Sequence, residues 1–366
     1  MTEHQPPPAQ GRFPAPPPGR PHPGPAAPWS PQQPPHAVPV EQTFPHAEPT
    51  PYHAMLRTWT YAWWKPVVGM VVAGVAFVLV TAIVFVLIAG ILAIFQSGAY
   101  LENLEESVDF SDVGPEALLG LNLALGSMIL VTWAIIRVLH GMRPRWLSSV
   151  VPRMRWRFFG ACLGLAVVAL AAQILVAALL PDGGDADFAG RLNDFTTTTA
   201  LLALVVLLTT PLQAAGEEYL FRGYLLQAVG SLSGNRWVAI VVTAVLFALA
   251  HGGQNFPLFF DRLAFGLIAA WLVIRTGGLE AGIALHVLNN LLAFGLALSF
   301  GDVTETLNIS EASWWNIALT VTQSAVYAGL VLLVAHRMGL QTHTRPPSQR
   351  SDVAPSGTVG GDLATA

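Results

Sequence analysis

Charge is what this 366-residue chain has least of: 11% of its residues are Asp, Glu, Lys or Arg, against about 25% in ordinary soluble domains. Hydrophobic residues make up 53%, and they fall in runs about 20 residues long, the length that crosses a bilayer. That excludes an ordinary soluble domain and predicts an all-α, polytopic membrane protein. Cysteine is nearly absent: Cys162 stands alone inside an apolar run, which rules out an intramolecular disulfide and a multi-cysteine metal site. There is no Gly-rich phosphate loop, no HExxH helix and no internal repeat. No short basic stretch leads into an apolar core at the N-terminus, so no signal peptide is expected.

Proline, by contrast, is abundant at one end. Residues 1–52 (PPPAQGRFPAPPPGRPHPGP and onward) have no apolar periodicity, which predicts a disordered or polyproline-like tail. We read it as a spacer or a dock for a cytoplasmic partner, and its scattered histidines (His4, His22, His36, His46, with His53 just beyond) as part of it rather than as a metal site. Residues 340–366 read as a second disordered tail. Between them, 53–339, an eight-helix transmembrane domain is expected. Its spans run over Val67–Phe95, Leu118–Leu139, Phe158–Leu180, Leu201–Val229, Trp237–Ala250, Leu258–Ile274, Leu279–Phe300 and Trp315–Ala335. The fifth is short and the first and fourth are long, so tilt or kinks are expected, with Pro211 positioned to kink the fourth.

Loop charge supplies the orientation. The loop after the first span holds Glu102, Glu105, Glu106, Asp109 and Asp112 without a Lys or Arg; the next holds Arg143, Arg145, Arg153, Arg155 and Arg157. The third holds Asp182, Asp185, Asp187 and Asp194 against Arg191. Arg236, Arg275 and a tail with Arg337, Arg345 and Arg350 then alternate with a weak mixed loop and an acidic one (Asp302, Glu305, Glu311). Lys/Arg-rich loops stay inside, so both termini are expected in the cytoplasm, with the plasma membrane as the host. This topology accounts for the basic loops without nucleic acid. Trp59, Trp63, Trp64, Trp156, Trp237, Trp314 and Trp315 cluster at span ends, as interfacial anchors do.

Against this apolar background a few polar residues stand out. Glu217 and Glu218 follow the run ALLALVVLLTT, with Arg222 one turn on. Each ionised group at mid-bilayer costs about 2.5–3.5 kcal/mol on insertion scales, so such residues are functional by default. His251 ends another apolar run, and His286, Asn289 and Asn290 interrupt a third. Glu218 and Arg222 are i,i+4 and can pair; Glu217 is turned about 100° from Glu218, so one carboxylate can be locked while the other faces a cavity. Counting from the inner ends of their spans at about 1.5 Å per residue, Glu217 lies roughly 20 Å deep, His251 roughly 22 Å, Asn290 about 18 Å and His286 about 12 Å. A shared intramembrane polar cavity is geometrically possible. Blander readings apply to some neighbours. Asn289 reads as an interhelical hydrogen-bonding group, Arg222 taken alone could snorkel to the interface, and Asp261 with Arg262 reads as an interfacial pair.

A carboxylate and an imidazole around a water form a general acid–base pair, and His286 and Asn290 can donate to a developing oxyanion. That set suits attack of water on a peptide carbonyl. Two histidines and a glutamate (Glu217, His251, His286) could instead hold zinc with an open position. No Ser or Cys stands among the candidates, which disfavours a covalent nucleophile. A non-catalytic scaffold or immunity protein, and a proton-coupled transporter built on the same Glu and His residues, stay open as alternatives.

These residues resemble the CPBP intramembrane proteases, a family that includes CAAX prenyl endopeptidases and bacterial proteins linked to bacteriocin processing and immunity. Its EExxxR motif appears as Glu217, Glu218 and Arg222, its FxxxH as Phe247 and His251, and its HxxxN as His286 and Asn290. The resemblance covers about Phe158–Phe300. It implies an eight-helix intramembrane endopeptidase acting on a membrane-associated peptide or protein. Glu217, Glu218, His251, His286 and Asn290 form the implied catalytic set, with Arg222 and Phe247 in support. By similarity Glu217 and His251 activate water, and His286 and Asn290 stabilise the oxyanion. The resemblance allows zinc or a metal-free glutamate mechanism; reading His286 and Asn290 as donors favours the latter.

Overall fold

The computed structural model describes residues 44–95, 100–107, 109–181 and 192–345. Most of both expected tails, 1–43 and 346–366, lies outside the described residues. The rest is helical: α1 (Trp64–Phe95), α2 (Tyr100–Ser107), α3 (Pro115–Gly126), α4 (Met128–Val138), α5 (Trp156–Leu179), α6 (Thr197–Glu218), α7 (Leu226–Ser233), α8 (Arg236–Leu249), α9 (Phe256–Thr276), α10 (Glu280–Phe300), α11 (Val303–Leu307) and α12 (Trp315–Arg337). Among the described residues there is no β-strand, only the isolated bridges Pro51–His343 and Ser149–Gly278.

The helices begin where a polar residue meets an apolar run. The Thr196 side chain accepts from the Thr199 N–H at the start of α6, Asn235 accepts from Trp237 and Val238 at α8, and Asn255 from Leu258 at α9, satisfying donors that the first turn leaves unpaired. Seven helical stretches are long and apolar enough to cross a membrane. They are α1, α3 with α4, α5, the continuous Thr197–Ser233, α9, α10 and α12. The shorter apolar helix is α8, with 14 residues.

The two described ends meet. Thr344 N–H donates to the Thr50 carbonyl at 3.0 Å, and Thr50 N–H donates to Thr344 Oγ1 at 3.0 Å. Both described ends therefore lie on one face of the bundle, so the described helices pass through it an even number of times, the shorter α8 counted beside the seven. The connections agree. On the face of the ends, Leu279 N–H donates to the Ser148 carbonyl and Val150 N–H to that of Gly277. On the other face, Asn193 is bonded to Ser299, Asn255 to Ser310 and Asn308 to Phe110. The first face carries Arg143, Arg145, Arg153, Arg157 and Arg236; the second carries Asp109, Asp112, Asp194, Asp302, Glu305 and Glu311.

The expected tail boundaries move. Residues 44–52 are packed, not tail: His46 and Tyr52 are buried with Met55 and Leu56. His46 Nε2 donates to the Met55 carbonyl at 2.6 Å, and the Tyr52 hydroxyl donates to the Leu147 carbonyl. The apolar side chains of Tyr52, Met55 and Leu56, which follow the last tail prolines Pro49 and Pro51, find a surface under α7, where the expected spacer ends early. Thr344 is buried likewise, so 340–345 belongs with the bundle.

Candidate functional site

Three elements carry the site: α6 with its continuation, the end of α8, and α10. A Cβ on Gly216 would fall onto the Leu125 carbonyl oxygen of α3, so the two helices meet backbone to backbone just before Glu217. Small residues permit such approach in membranes. α6 runs helically through Pro211. After Glu218 it opens into a π-helical segment, Tyr219–Leu225. Such wide turns are rare and recur at functional sites.

Glu218 is locked. Arg222 donates to its Oε1 at 2.7 Å, and both side chains are wholly buried. Arg222 thus does not snorkel; its guanidinium lies 4.0 Å from the Phe247 ring centroid and 5.2 Å from that of Phe265. Phe247 walls the arginine on one side and meets the His251 and His286 rings edge-on. A Cβ on Gly282 of α10 would come within 2.7 Å of Glu218 Oε2; only glycine leaves room there. Breaking a buried pair of this kind costs about 3–5 kcal/mol, because the remaining charge is stranded.

Glu217 faces the other way, into a cavity of about 270 Å³ whose lining includes His251, His286, Asn289 and Asn290. Gln213, one turn earlier, donates from Nε2 to Glu217 Oε1 at 2.6 Å and accepts at Oε1 from Asn290 Nδ2 at 2.9 Å. Since a carboxylate only accepts, Glu217 fixes the flip of Gln213, and Gln213 in turn fixes Asn290 with its NH₂ inward.

The same logic sets the imidazoles. His286 Nδ1 lies 3.0 Å from Glu218 Oε1, and its Nε2 lies 3.8 Å from Glu217 Oε2. Arg222 donates to the same Oε1, which marks that oxygen as an acceptor, so Nδ1 carries the hydrogen. His251 Nδ1 lies 2.8 Å from the Phe247 carbonyl, which also only accepts. Each neutral ring therefore keeps its Nε2 lone pair free.

Sequence reasoning brought together the residues that meet here, and it missed others. Gln213 carries a readable signal, i,i+4 from Glu217. Asn122 of α3 lines the cavity and donates to Thr209 and Thr210. Asp261 and Arg262 pair at 3.3 Å as expected, yet they form part of the cavity wall. Asn289 is the interhelical group expected of it, accepting from Gln323 at 2.6 Å.

The donor chemistry of the Glu217, His251 and His286 set suits zinc, since bonding at Nδ1 orients a histidine ligand. The spacing does not: among the described residues no three His, Cys, Asp or Glu side chains gather closely enough to hold an ion.

A bundle of apolar helices with a cavity lined by the Glu217 carboxylate, two imidazoles and amides defines a polytopic membrane protein with an internal polar site. Residues 198–292 match the family described as Type II CAAX prenyl endopeptidase Rce1-like. That stretch, which holds Glu217, Glu218, Arg222, Phe247, His251, His286 and Asn290, is therefore similar to a family that is generally one of proteases. A Bacillus subtilis (strain 168) relative, Uncharacterized protein YyaK, is 24% identical over 214 residues, 55% of this chain and 69% of its own length. No solved structure matches the chain.

Proposed function

We propose that the chain is an intramembrane endopeptidase that hydrolyses a peptide bond of a membrane-associated substrate. The observation that carries the reading is the split of two adjacent carboxylates: Glu218 neutralised by Arg222, Glu217 turned into the cavity with Oε2 toward His286. In this reading Glu217 takes a proton from water, assisted by the Nε2 lone pair of His251, and the oxygen attacks the carbonyl carbon. The Asn290 NH₂ retains one N–H beyond that given to Gln213, and it donates to the oxyanion. His286 joins it as a donor from Nε2 when both of its ring nitrogens carry a hydrogen. The tetrahedral intermediate then expels the amine, which takes the proton held by Glu217, leaving a new carboxylate and a new amine. In this reading the host is the plasma membrane and both described ends face the cytoplasm, an orientation supported by the arginine-rich face.

Glu217→Gln, folded as the parent by thermal melting, is expected to cut a reporter peptide about 10²–10⁴-fold more slowly, the usual worth of a general base. Unchanged cleavage rejects the reading. Metal analysis with a chelator treatment decides the remaining choice: stoichiometric zinc, with activity lost on chelation, replaces the glutamate mechanism with a metal one.

A further inference from the structure

The cavity is closed at one end and open at the other. At its floor Glu217 is 8% exposed, His286 5% and Phe247 2%, and behind them Glu218 and Arg222 are sealed. At its rim His251 and Ile309 are exposed, and Gln254 and Thr306 half-buried. These four belong to the turns after α8 and around α11, which lie on the acidic face with Asn255, Ser310 and Asn308. The cause is the shortness of α8. Fourteen residues span about 21 Å, less than the roughly 30 Å of a hydrocarbon core, so the chain turns at His251 before reaching the surface and leaves a recess.

The face opposite that recess holds both described ends and most of the arginines, the side that stays in the cytoplasm. We infer that the catalytic cavity opens to the extracytoplasmic side. On the protease reading above, its substrate is then a membrane-anchored peptide whose scissile bond is presented from the outer leaflet, and not a tail delivered from the cytosol. The wall fits an apolar segment, with Leu121, Leu125, Leu258 and Phe294 around the single guanidinium of Arg262.

Access can be measured without knowing the substrate. In a Cys162→Ala background, which removes the one native thiol, single reporters are placed at Ile309→Cys on the rim, Ala293→Cys inside the cavity and Met338→Cys beyond α12. Cells carrying the full chain are treated with a membrane-impermeant maleimide. Ile309→Cys and Ala293→Cys are expected to label in intact cells, and Met338→Cys only after lysis. Labelling of Met338→Cys in intact cells overturns the orientation. Labelling of Ile309→Cys but not Ala293→Cys in intact cells overturns the open recess. Glu217→Gln repeats of the same labelling separate the two proposals: wild-type cleavage by Glu217→Gln with the expected labelling rejects the protease and keeps the access, whereas reversed labelling with Glu217-dependent cleavage does the opposite.

Discussion

At the scale of single residues, the site works by what each group cannot do. Carboxylates cannot donate, so they dictate the orientation of every amide and imidazole that touches them. Gln213 transmits that constraint from Glu217 to Asn290 over bonds of 2.6 and 2.9 Å. Gln213→Ala should leave the fold intact and slow cleavage by about 10²-fold, the cost of a roughly 1 Å misplacement of a catalytic group. A kcat effect with little change in KM supports that positioning role, and a pure KM effect argues for substrate contact instead. Arg222→Met should instead destabilise the protein by about 3–5 kcal/mol by stranding Glu218; Glu218→Gln in the same chain should restore much of the melting temperature.

At the scale of elements, helix ends and irregular turns set the depths. The loop after α4 buries His140, whose Nε2 lies 3.1 Å from the Tyr224 hydroxyl of the π segment. Burial, then the charge of Lys65, push the His140 imidazole down to about 4. The unfolded chain, with histidine near 6.5, binds the extra proton first as pH falls. Stability that is present above pH 6.5 should therefore be lost between about 6.5 and 4, and little more should be lost below that. Melting in detergent across that range tests this, and His140→Gln should flatten the slope. The apolar runs made α5, α9, α10 and α12 legible, because hydropathy and length suffice for a membrane helix. The π segment was not legible: EEYLFRGYL has no local feature that selects i→i+5 bonding over i→i+4, and its packing against α8 and α4 decides.

At the scale of the whole molecule, the two described ends close on each other beneath the bundle. Deleting residues 1–43 serves as the reference truncation. Deleting 1–56 removes Tyr52, Met55 and Leu56, each 0–1% exposed, and should cost several kcal/mol at about 1.5–3 kcal/mol per fully buried large side chain. Equal melting of the two truncations would show that this segment contributes nothing to the bundle. The alternation of acidic and arginine-bearing connections was readable in the chain, and the paired loops on each face reproduce it. That Pro51 bridges His343 was hidden, because a proline-rich composition reports backbone preference and not the partners a few apolar residues will find.

The order of residues alone determined that the protein enters a membrane, how many times it crosses and which polar groups had to find one another there, since burying a charge or an amide in hydrocarbon without partners is too costly to occur by accident. Tertiary packing alone decided which of two adjacent glutamates is locked and which is free, that Gln213 stands between Glu217 and Asn290, and at which end the recess opens. Those outcomes depend on helix rotation and on where a short helix stops against its neighbours, and a one-dimensional pattern does not encode either.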